Sequence, residues 1–169
     1  MIAMPLTRGR TTDSSLGLFT AVTESAHRED GGASTADWLR LALELEPDIE
    51  AASHAREALE QLDDHLEEEV LEDMRLLVTE LVTNSVRHAD AAPGEPVRLE
   101  VSVHADRVRV TVEDGGSGFR ARRRTPDSPD DGGWGLHLVE RVSHRWGVSG
   151  GGRTRVWFEL DRSGASGLR

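Results

Sequence analysis

Glu80 and Asn84 are the first residues of this sequence whose types and spacing suit phosphate chemistry. They are four apart in a run with helical spacing, so both side chains lie on one face of a helix. The amide oxygen of Asn84 is a suitable ligand for Mg²⁺, which prefers oxygen and keeps phosphates and waters as its other ligands. The Glu80 carboxylate could take a proton from an attacking hydroxyl or water. Taken alone, the pair is more typical of a solvated helix flank.

A second candidate segment is the Asp-Gly-Gly-Ser-Gly run over residues 114–118, which follows a valine-rich strand pattern. A buried Asp114 carboxylate could accept a hydrogen bond from an exocyclic amine such as that of adenine. Glycines such as Gly116 and Gly118 let the backbone approach a flat ring. Because Asp-Gly is also a common turn dipeptide, an ordinary strand-ending turn is the alternative.

A third segment, Gly-Gly-Trp-Gly over residues 132–135, comes directly before a predicted helix. Glycines at such a junction free backbone N–H groups to face phosphates, and the helix dipole favours negative charge there. The segment lacks the Lys-Ser/Thr pair of a P-loop, so a different phosphate loop is implied, with a flexible hinge as the alternative. Between the glycine segments lie four arginines that could close over phosphates or simply solvate a polar loop: Arg120, Arg122, Arg123 and Arg124. The order of the three segments, rather than any one of them, indicates an ATP site.

Apolar periodicity predicts the elements that position these segments. Alternation predicts strands over residues 38–46, 97–103, 108–112 and 155–160. Helical spacing predicts a first helix from an Asp48 cap to about Leu62, with Ile49 on its inner face. A second helix should cover about residues 66–89, and a third should begin near Trp134 and carry Trp146 inward. This order predicts an α+β two-layer sandwich, in which a mixed, mostly antiparallel sheet has its helices on one face.

Composition restricts the possible partners. The formal net charge of −11, from 31 acidic and 20 basic residues, argues against a nucleic-acid binder. Without cysteine there is no disulfide framework and no thiolate nucleophile. With no apolar run near the ~20 residues of a membrane span and no apolar leader, we expect a cytoplasmic chain without membrane contact. We expect a flexible tail over 1–34, a folded domain over 35–161 and a second flexible tail over 162–169.

Together these segments resemble the GHKL ATPase superfamily, and most closely its anti-sigma factor serine/threonine kinases. Residues 80–89 resemble the N box of that family, residues 114–119 its first glycine box and residues 132–139 its second. Residues 152–160 are similar to its terminal strand, with Thr154 at the position that reaches back toward the nucleotide. The resemblance covers nearly the whole predicted domain.

The resemblance implies a role for each matching residue. Asn84 would ligate a Mg²⁺ that bridges the ATP phosphates, and Glu80 would be the general base toward a Ser or Thr hydroxyl. Asp114 would bind the adenine amino group. The nucleotide-binding residues implied beside Asn84 are Asp114, Gly116, Gly118, Gly133, Gly135 and Thr154.

The implied activity is that of an ATP- and Mg²⁺-dependent kinase that phosphorylates an anti-anti-sigma (STAS-type) protein and binds a sigma factor, commonly as a homodimer. The alternative is a nucleotide-binding, partner-switching module with little or no kinase activity. A third possibility, the catalytic half of a sensor histidine kinase, is disfavoured. A phosphoacceptor helical hairpin does not fit within residues 1–45, and His54 falls in the first predicted helix of the domain itself.

Overall fold

The computed structural model describes residues 21–23, 39–88, 95–116 and 134–162. Their strands are β1 (Ala21–Thr23), β2 (Leu39–Leu45), β3 (Val97–Val103), β4 (Arg107–Asp114), β5 (Arg145–Gly150) and β6 (Thr154–Asp161). Their helices are α1 (Ala51–Leu59), which a 3-10 turn over Glu60–Leu62 extends, α2 (Glu68–His88) and α3 (Trp134–Val142).

The strands form one sheet in the order β1-β2-β3-β4-β6-β5, and every described neighbouring pair is antiparallel. All three helices contribute buried residues to a core on one face of this sheet. The prediction of an α+β two-layer sandwich is therefore confirmed. The mixed character is corrected, since no described pair of strands is parallel.

Strict alternation decides which residues of each strand face the helices. On β4 the buried residues are Val108, Val110, Val112 and Asp114, and the residues between them are partly exposed. The antiparallel register places Val112 opposite Val156 and Asp114 opposite Thr154. Because successive side chains of a strand point to opposite faces, the valine pattern carries Asp114 to the helix-covered face.

Helix α2 forms as predicted because its apolar residues recur at three- and four-residue spacing. Its buried stripe consists of Val70, Leu71, Met74, Leu77, Val78, Leu81 and Val82. This stripe packs against β4 and β6, and α1 lies against α2. The buried residues of α1 include the small residues Ala55 and Ala58.

The start of α1 differs from the prediction. Ile49, expected on the inner face, is 96% exposed, and the helix begins two residues later at Ala51. Asp48 does not cap the helix; its Oδ1 accepts the backbone N–H of Glu50 at 2.8 Å in the turn before it. An Asp that bonds the backbone two residues on forms a local turn, which delays the helix.

The end of α3 also differs, because a strand replaces the last predicted helical turn. Ser143 Oγ donates to Val139 O at 2.6 Å as α3 ends. The N–H of His144 then bonds to Glu159 O at 3.0 Å, which starts the pairing of β5 with β6. Trp146 does pack against the core, but from β5 and opposite Phe158 rather than from a helix.

Three residues of the segment expected to be a flexible tail are ordered as strand. Ala21–Thr23 pairs with β2, with Val22 opposite Leu41, and forms one edge of the sheet. For these residues the expectation is corrected. The other domain boundaries stay predictions.

The sheet face opposite the core carries charged side chains, and none of the three described helices covers it. Many of these side chains form ion pairs between strands, such as Arg40–Glu100 (3.1 Å) and Arg109–Glu159 (2.7 Å). Arg109 also lies 4.0 Å above the centre of the Trp157 ring. Gly147 also lies beside that ring, and a Cβ added there would come within 2.8 Å of Trp157 Nε1.

Arg162, at the end of β6, ties three segments together. Its guanidinium donates to His65 O (2.9 Å) in the connection between α1 and α2. It also donates to His104 O (3.1 Å) and Ala105 O (3.4 Å) in the β3–β4 turn.

Candidate nucleotide-binding site

Glu80 and Asn84 lie one turn apart on α2, at the margin of its buried stripe. Both side chains are partly buried, and the residues that follow them, Leu81 and Ser85, are buried. Within residues 39–88, 95–116 and 134–162, neither side chain forms a hydrogen bond or ion pair. Their polar atoms are thus not committed to any side chain in that part of the protein.

Asp114 sits where β4 ends and is joined to two other predicted residues. The Asp114 side chain is buried, and its Oδ1 accepts the backbone N–H of Gly116 at 2.9 Å. Thr154, also buried, donates its hydroxyl to Gly116 O at 3.3 Å. The structure therefore brings Asp114, Gly116 and Thr154 into one hydrogen-bonded group.

The bond to Gly116 decides which oxygen of Asp114 a ligand could use. Oδ1 is engaged within the turn, and no described residue donates a hydrogen bond to Oδ2. A buried carboxylate without a basic partner is costly unless donors satisfy it. Oδ2 is thus an acceptor suited to an amine or amide N–H of a ligand.

The two halves of the candidate site are held by different elements. Helix α2, which carries Glu80 and Asn84, packs against both β4 and β6, whose adjoining ends carry Asp114 and Thr154. The packing of the valine-rich strands on the apolar stripe of α2 therefore sets how these polar groups are placed.

Some predicted site residues lie outside the described residues. These are Gly118, Gly133 and the four arginines between the glycine segments. Gly135 is the second residue of α3, so its backbone lies at the start of a helix, as a phosphate-binding turn requires. Its part in phosphate binding stays a prediction.

Sequence reasoning missed two charged residues beside the Asp114 turn, Glu95 and Arg153. Arg153 Nη2 lies 3.2 Å from Glu95 Oε2, and its Nη1 lies 3.7 Å from Glu113 Oε1. Glu113 and Arg153 each directly precede a predicted site residue, which was the available signal. Glu95 is distant in sequence from both, and only the fold brings it close.

Glu113 connects this cluster to the charged face of the sheet. It faces Arg98 on β3 and Arg155 on β6 in the strand register, with Arg155 Nε 2.9 Å from its Oε2. The hydrogen bond from Arg98 to Glu44 raises the pKa of that guanidinium above its ordinary value, with smaller contributions from Glu113.

No group of three or more His, Cys, Asp or Glu side chains in the described part of the chain could hold a metal ion by itself. An ATP-bound Mg²⁺ needs no such group, because phosphates and waters fill most of its coordination sphere. One neutral amide oxygen, such as that of Asn84, fits this kind of site.

The two-layer architecture and the order of the polar segments are those of a histidine kinase-like ATP-binding domain. The chain belongs to that family: the model of the histidine kinase-like ATPase domain matches residues 45–160. The match covers all the candidate site residues.

Known relatives include bacterial protein kinases. The chain is 33% identical over 87 residues to Serine-protein kinase RsbW of Listeria monocytogenes serovar 1/2a. The aligned region covers 44% of this chain and 55% of that protein. The chain is 28% identical over 99 residues to the protein of the same name from Oceanobacillus iheyensis, with 47% and 62% covered. The chain thus spans little more than half the length of the curated relatives it matches.

Among solved structures, the histidine kinase domain of the Erythrobacter litoralis EL346 blue-light activated histidine kinase aligns with 79% of this chain and 66% of that chain. The TM-score is 0.48 and the identity 24%, a level of similarity that adds nothing to the family assignment. Among the described helices, none has the length and apolar character needed to cross a bilayer.

Proposed function

We propose that this protein is an ATP- and Mg²⁺-dependent serine/threonine protein kinase of the anti-sigma factor type. Its substrate would be an anti-anti-sigma protein of the STAS type, and its second partner a sigma factor. Membership of the histidine kinase-like ATPase family and similarity to proteins named Serine-protein kinase RsbW support this proposal.

The observation that carries the kinase proposal is the placement of Glu80 beside Asn84. Both lie partly buried at the same margin of α2, and no described side chain pairs with either. A carboxylate one helical turn from a neutral oxygen ligand supplies a base next to the place where phosphates would be held. The partner-switching alternative does not require a base at this position, whereas phosphoryl transfer to a hydroxyl does.

In the proposed reaction Glu80 accepts the proton of a Ser or Thr hydroxyl of the partner protein. The hydroxyl oxygen forms a bond to the γ-phosphorus of ATP, and the bond from that phosphorus to the bridging oxygen breaks, so that ADP leaves. Asn84 Oδ1 would be one ligand of Mg²⁺, which neutralises charge on the phosphates when bound. Most of the catalysis would come from positioning and charge stabilisation, as in other phosphoryl transfers.

Asp114 and Thr154 would define the adenine end of the site. Oδ2 of Asp114 is suited to accept the exocyclic amino group, since Oδ1 is held by Gly116. The Thr154 hydroxyl, through Gly116 O, would hold the turn that borders the ring. Gly118, Gly133 and Gly135 would complete the pocket and the phosphate turn.

The assembly we propose is a homodimer that acts in the cytoplasm without contacting nucleic acid or membrane. The acidic net charge favours protein and small-ligand partners over nucleic acid. Dimerisation and the sigma-factor contact rest on the family resemblance.

The test separates nucleotide binding from phosphoryl transfer. Calorimetry with ADP, in Mg²⁺ and then in EDTA, should give Mg²⁺-dependent binding that Asn84→Ala abolishes. Glu80→Gln should keep this binding and lose transfer of labelled phosphate from ATP to purified STAS-type proteins of the source organism. Glu72→Gln, which changes an exposed carboxylate on the same helix, is the matched control.

The outcomes distinguish the two functions. Full phosphoryl transfer by Glu80→Gln would rule out the general-base role, and Mg²⁺-dependent binding unchanged in Asn84→Ala would rule out the metal role. Nucleotide binding without transfer to any STAS-type protein would favour the nucleotide-binding, partner-switching module.

A further inference from the structure

Glu95 lies directly against the turn that follows β4. A Cβ added at Gly115 would overlap the Glu95 carboxylate, and it would lie 3.0 Å from the carboxyl carbon and 3.3 Å from the Cβ of Glu95. Glycine at position 115 therefore allows a side chain from before β3 to rest on the backbone between Asp114 and Gly116.

Arg153 holds Glu95 in that position. It contacts Glu95 at 3.2 Å and Glu113 at 3.7 Å, so its guanidinium spans from one side of the turn to the strand that leads into it. Its neighbour in sequence, Thr154, donates a hydrogen bond to Gly116 O. Residues 153 and 154 thus hold the same turn, one through Glu95 and the other through Gly116.

The Glu113 end of this arrangement is fixed more firmly than the Glu95 end. The Glu113 side chain is only 12% exposed. Its carboxylate also lies 3.6 Å from the Arg98 guanidinium and accepts a hydrogen bond from Arg155 Nε at 2.9 Å. The side chains of Glu95 and Arg153 are 41% and 35% exposed. Loss of the Glu95–Arg153 contact would therefore free the outer side of the turn and leave β4 in place.

We infer that Glu95 and Arg153 are positioning residues that order the Asp114–Gly116 turn and so set the preference for adenine over guanine. The part that concerns the nucleotide rests on the proposed function, whereas the ordering of the turn does not. When the turn loosens, Asp114 Oδ1 loses the Gly116 N–H and the carboxylate takes other orientations. Oδ2 then no longer meets the exocyclic amine of adenine in a fixed geometry.

The size of the effect follows from the exposure of the pair. Partly exposed ion pairs are screened by solvent and contribute little individually, so each single substitution should change the measured quantities by about two- to fivefold. The signature of the inference is coupling: once one partner is gone, loss of the other should have little further effect.

The experiment compares Glu95→Gln, Arg153→Gln, the double variant and the conservative Arg153→Lys in the full chain. Arg40→Gln is the matched control, because the Arg40–Glu100 pair (3.1 Å) lies on β2 and β3, away from the turn. The first readout is the hydrogen-exchange rate of the Gly116 amide without nucleotide. The second is the ratio of the dissociation constants for Mg-ADP and Mg-GDP, by calorimetry.

Both single Gln variants should speed Gly116 exchange and lower the ADP preference by about two- to fivefold, and the double variant should do no more. Arg153→Lys keeps the charge but has one nitrogen in place of the two that face Glu95 and Glu113, so it should recover part of both effects. Gly116 exchange unchanged in both single variants would overturn the inference. So would a selectivity loss that appears with Arg153→Gln and not with Glu95→Gln, because Arg153 would then contact the nucleotide itself. A wild-type chain that binds neither nucleotide, while Gly116 exchange responds as expected, would overturn the proposed function and support the positioning role.

Discussion

Replacing Asp114 by Asn changes one functional group of the candidate adenine site and preserves its size. Asn Oδ1 can still accept the Gly116 N–H that Asp114 accepts at 2.9 Å, so the turn should keep its conformation. The second atom of the group changes from a charged acceptor to an N–H₂ donor. It would then face the amino group of adenine, which is also a donor.

The expected loss can be worked from these contacts. A hydrogen bond to a charged group contributes about 1.5–3 kcal/mol, so Asp114→Asn should weaken ADP binding by about 10- to 150-fold. Guanine carries an acceptor oxygen where adenine has its amino group, so GDP should gain relative to ADP. The free energy of unfolding should not fall, because a neutral amide is less costly to bury than a carboxylate.

Calorimetry with Mg-ADP and Mg-GDP, together with urea denaturation of the same preparations, measures all three quantities. Asp106→Asn is the matched control, since Asp106 is exposed in the turn that leads into the same strand. A folded Asp114→Asn protein that binds ADP as tightly as the wild type would refute the adenine role. An equal loss for ADP and GDP would refute the donor–acceptor reasoning.

Three further predictions concern stability and are measured by urea denaturation. Gly147→Ala should lower the free energy of unfolding by about 1–3 kcal/mol and alter tryptophan fluorescence, because the added Cβ would come within 2.8 Å of the Trp157 ring. An unchanged free energy of unfolding would mean that the ring moves aside without cost. Arg162→Ala should lower the free energy of unfolding by about 1–3 kcal/mol, because it removes the hydrogen bonds to His65 O and to His104 O in the β3–β4 turn. A loss below a few tenths of a kcal/mol would show that water replaces these hydrogen bonds. Leu77→Ala should lower the free energy of unfolding by about 2–5 kcal/mol, because it leaves a cavity in the core. Leu76→Ala, at the adjacent and 45% exposed position, should lower it by less than about 1 kcal/mol. Equal losses would contradict the assignment of the buried face of α2.

The elements that carry the site were predictable from sequence because their periodicity is unambiguous. The apolar spacing of α2 and the alternating valines of β3 and β4 leave one arrangement that buries them, and Asp114 follows from the same alternation. The family resemblance implies a nucleotide-binding role for each of Asp114, Gly116 and Thr154. Their hydrogen bonds to one another were not predicted, and they follow from the register of β4 with β6.

The missed features share a weaker local signal. Strand β5 contains two glycines, and the spacing of Val142 and Trp146 also fits a helix, so pairing with β6 decides its conformation. Ile49 has the spacing of an inner-face residue, but the turn made by Asp48 starts the helix after it. The approach of Glu95 to Gly115 depends on how separate strands are arranged, which periodicity does not report.

Alternation along β4 also determines which kinds of sequence change the site can survive. Asp114 and Glu113 are adjacent carboxylates on opposite faces, one turned toward the helices and the other toward Arg98 and Arg155. Inserting or deleting one residue at the start of β4 would exchange the faces of all the β4 residues after it, because side chains alternate with a period of two. Glu113 would then face the helices, and Asp114 would lie on the charged face beside Arg98 and Arg155. The same slip would turn the valines outward, so an altered chain that lost its site in this way would also lose its core.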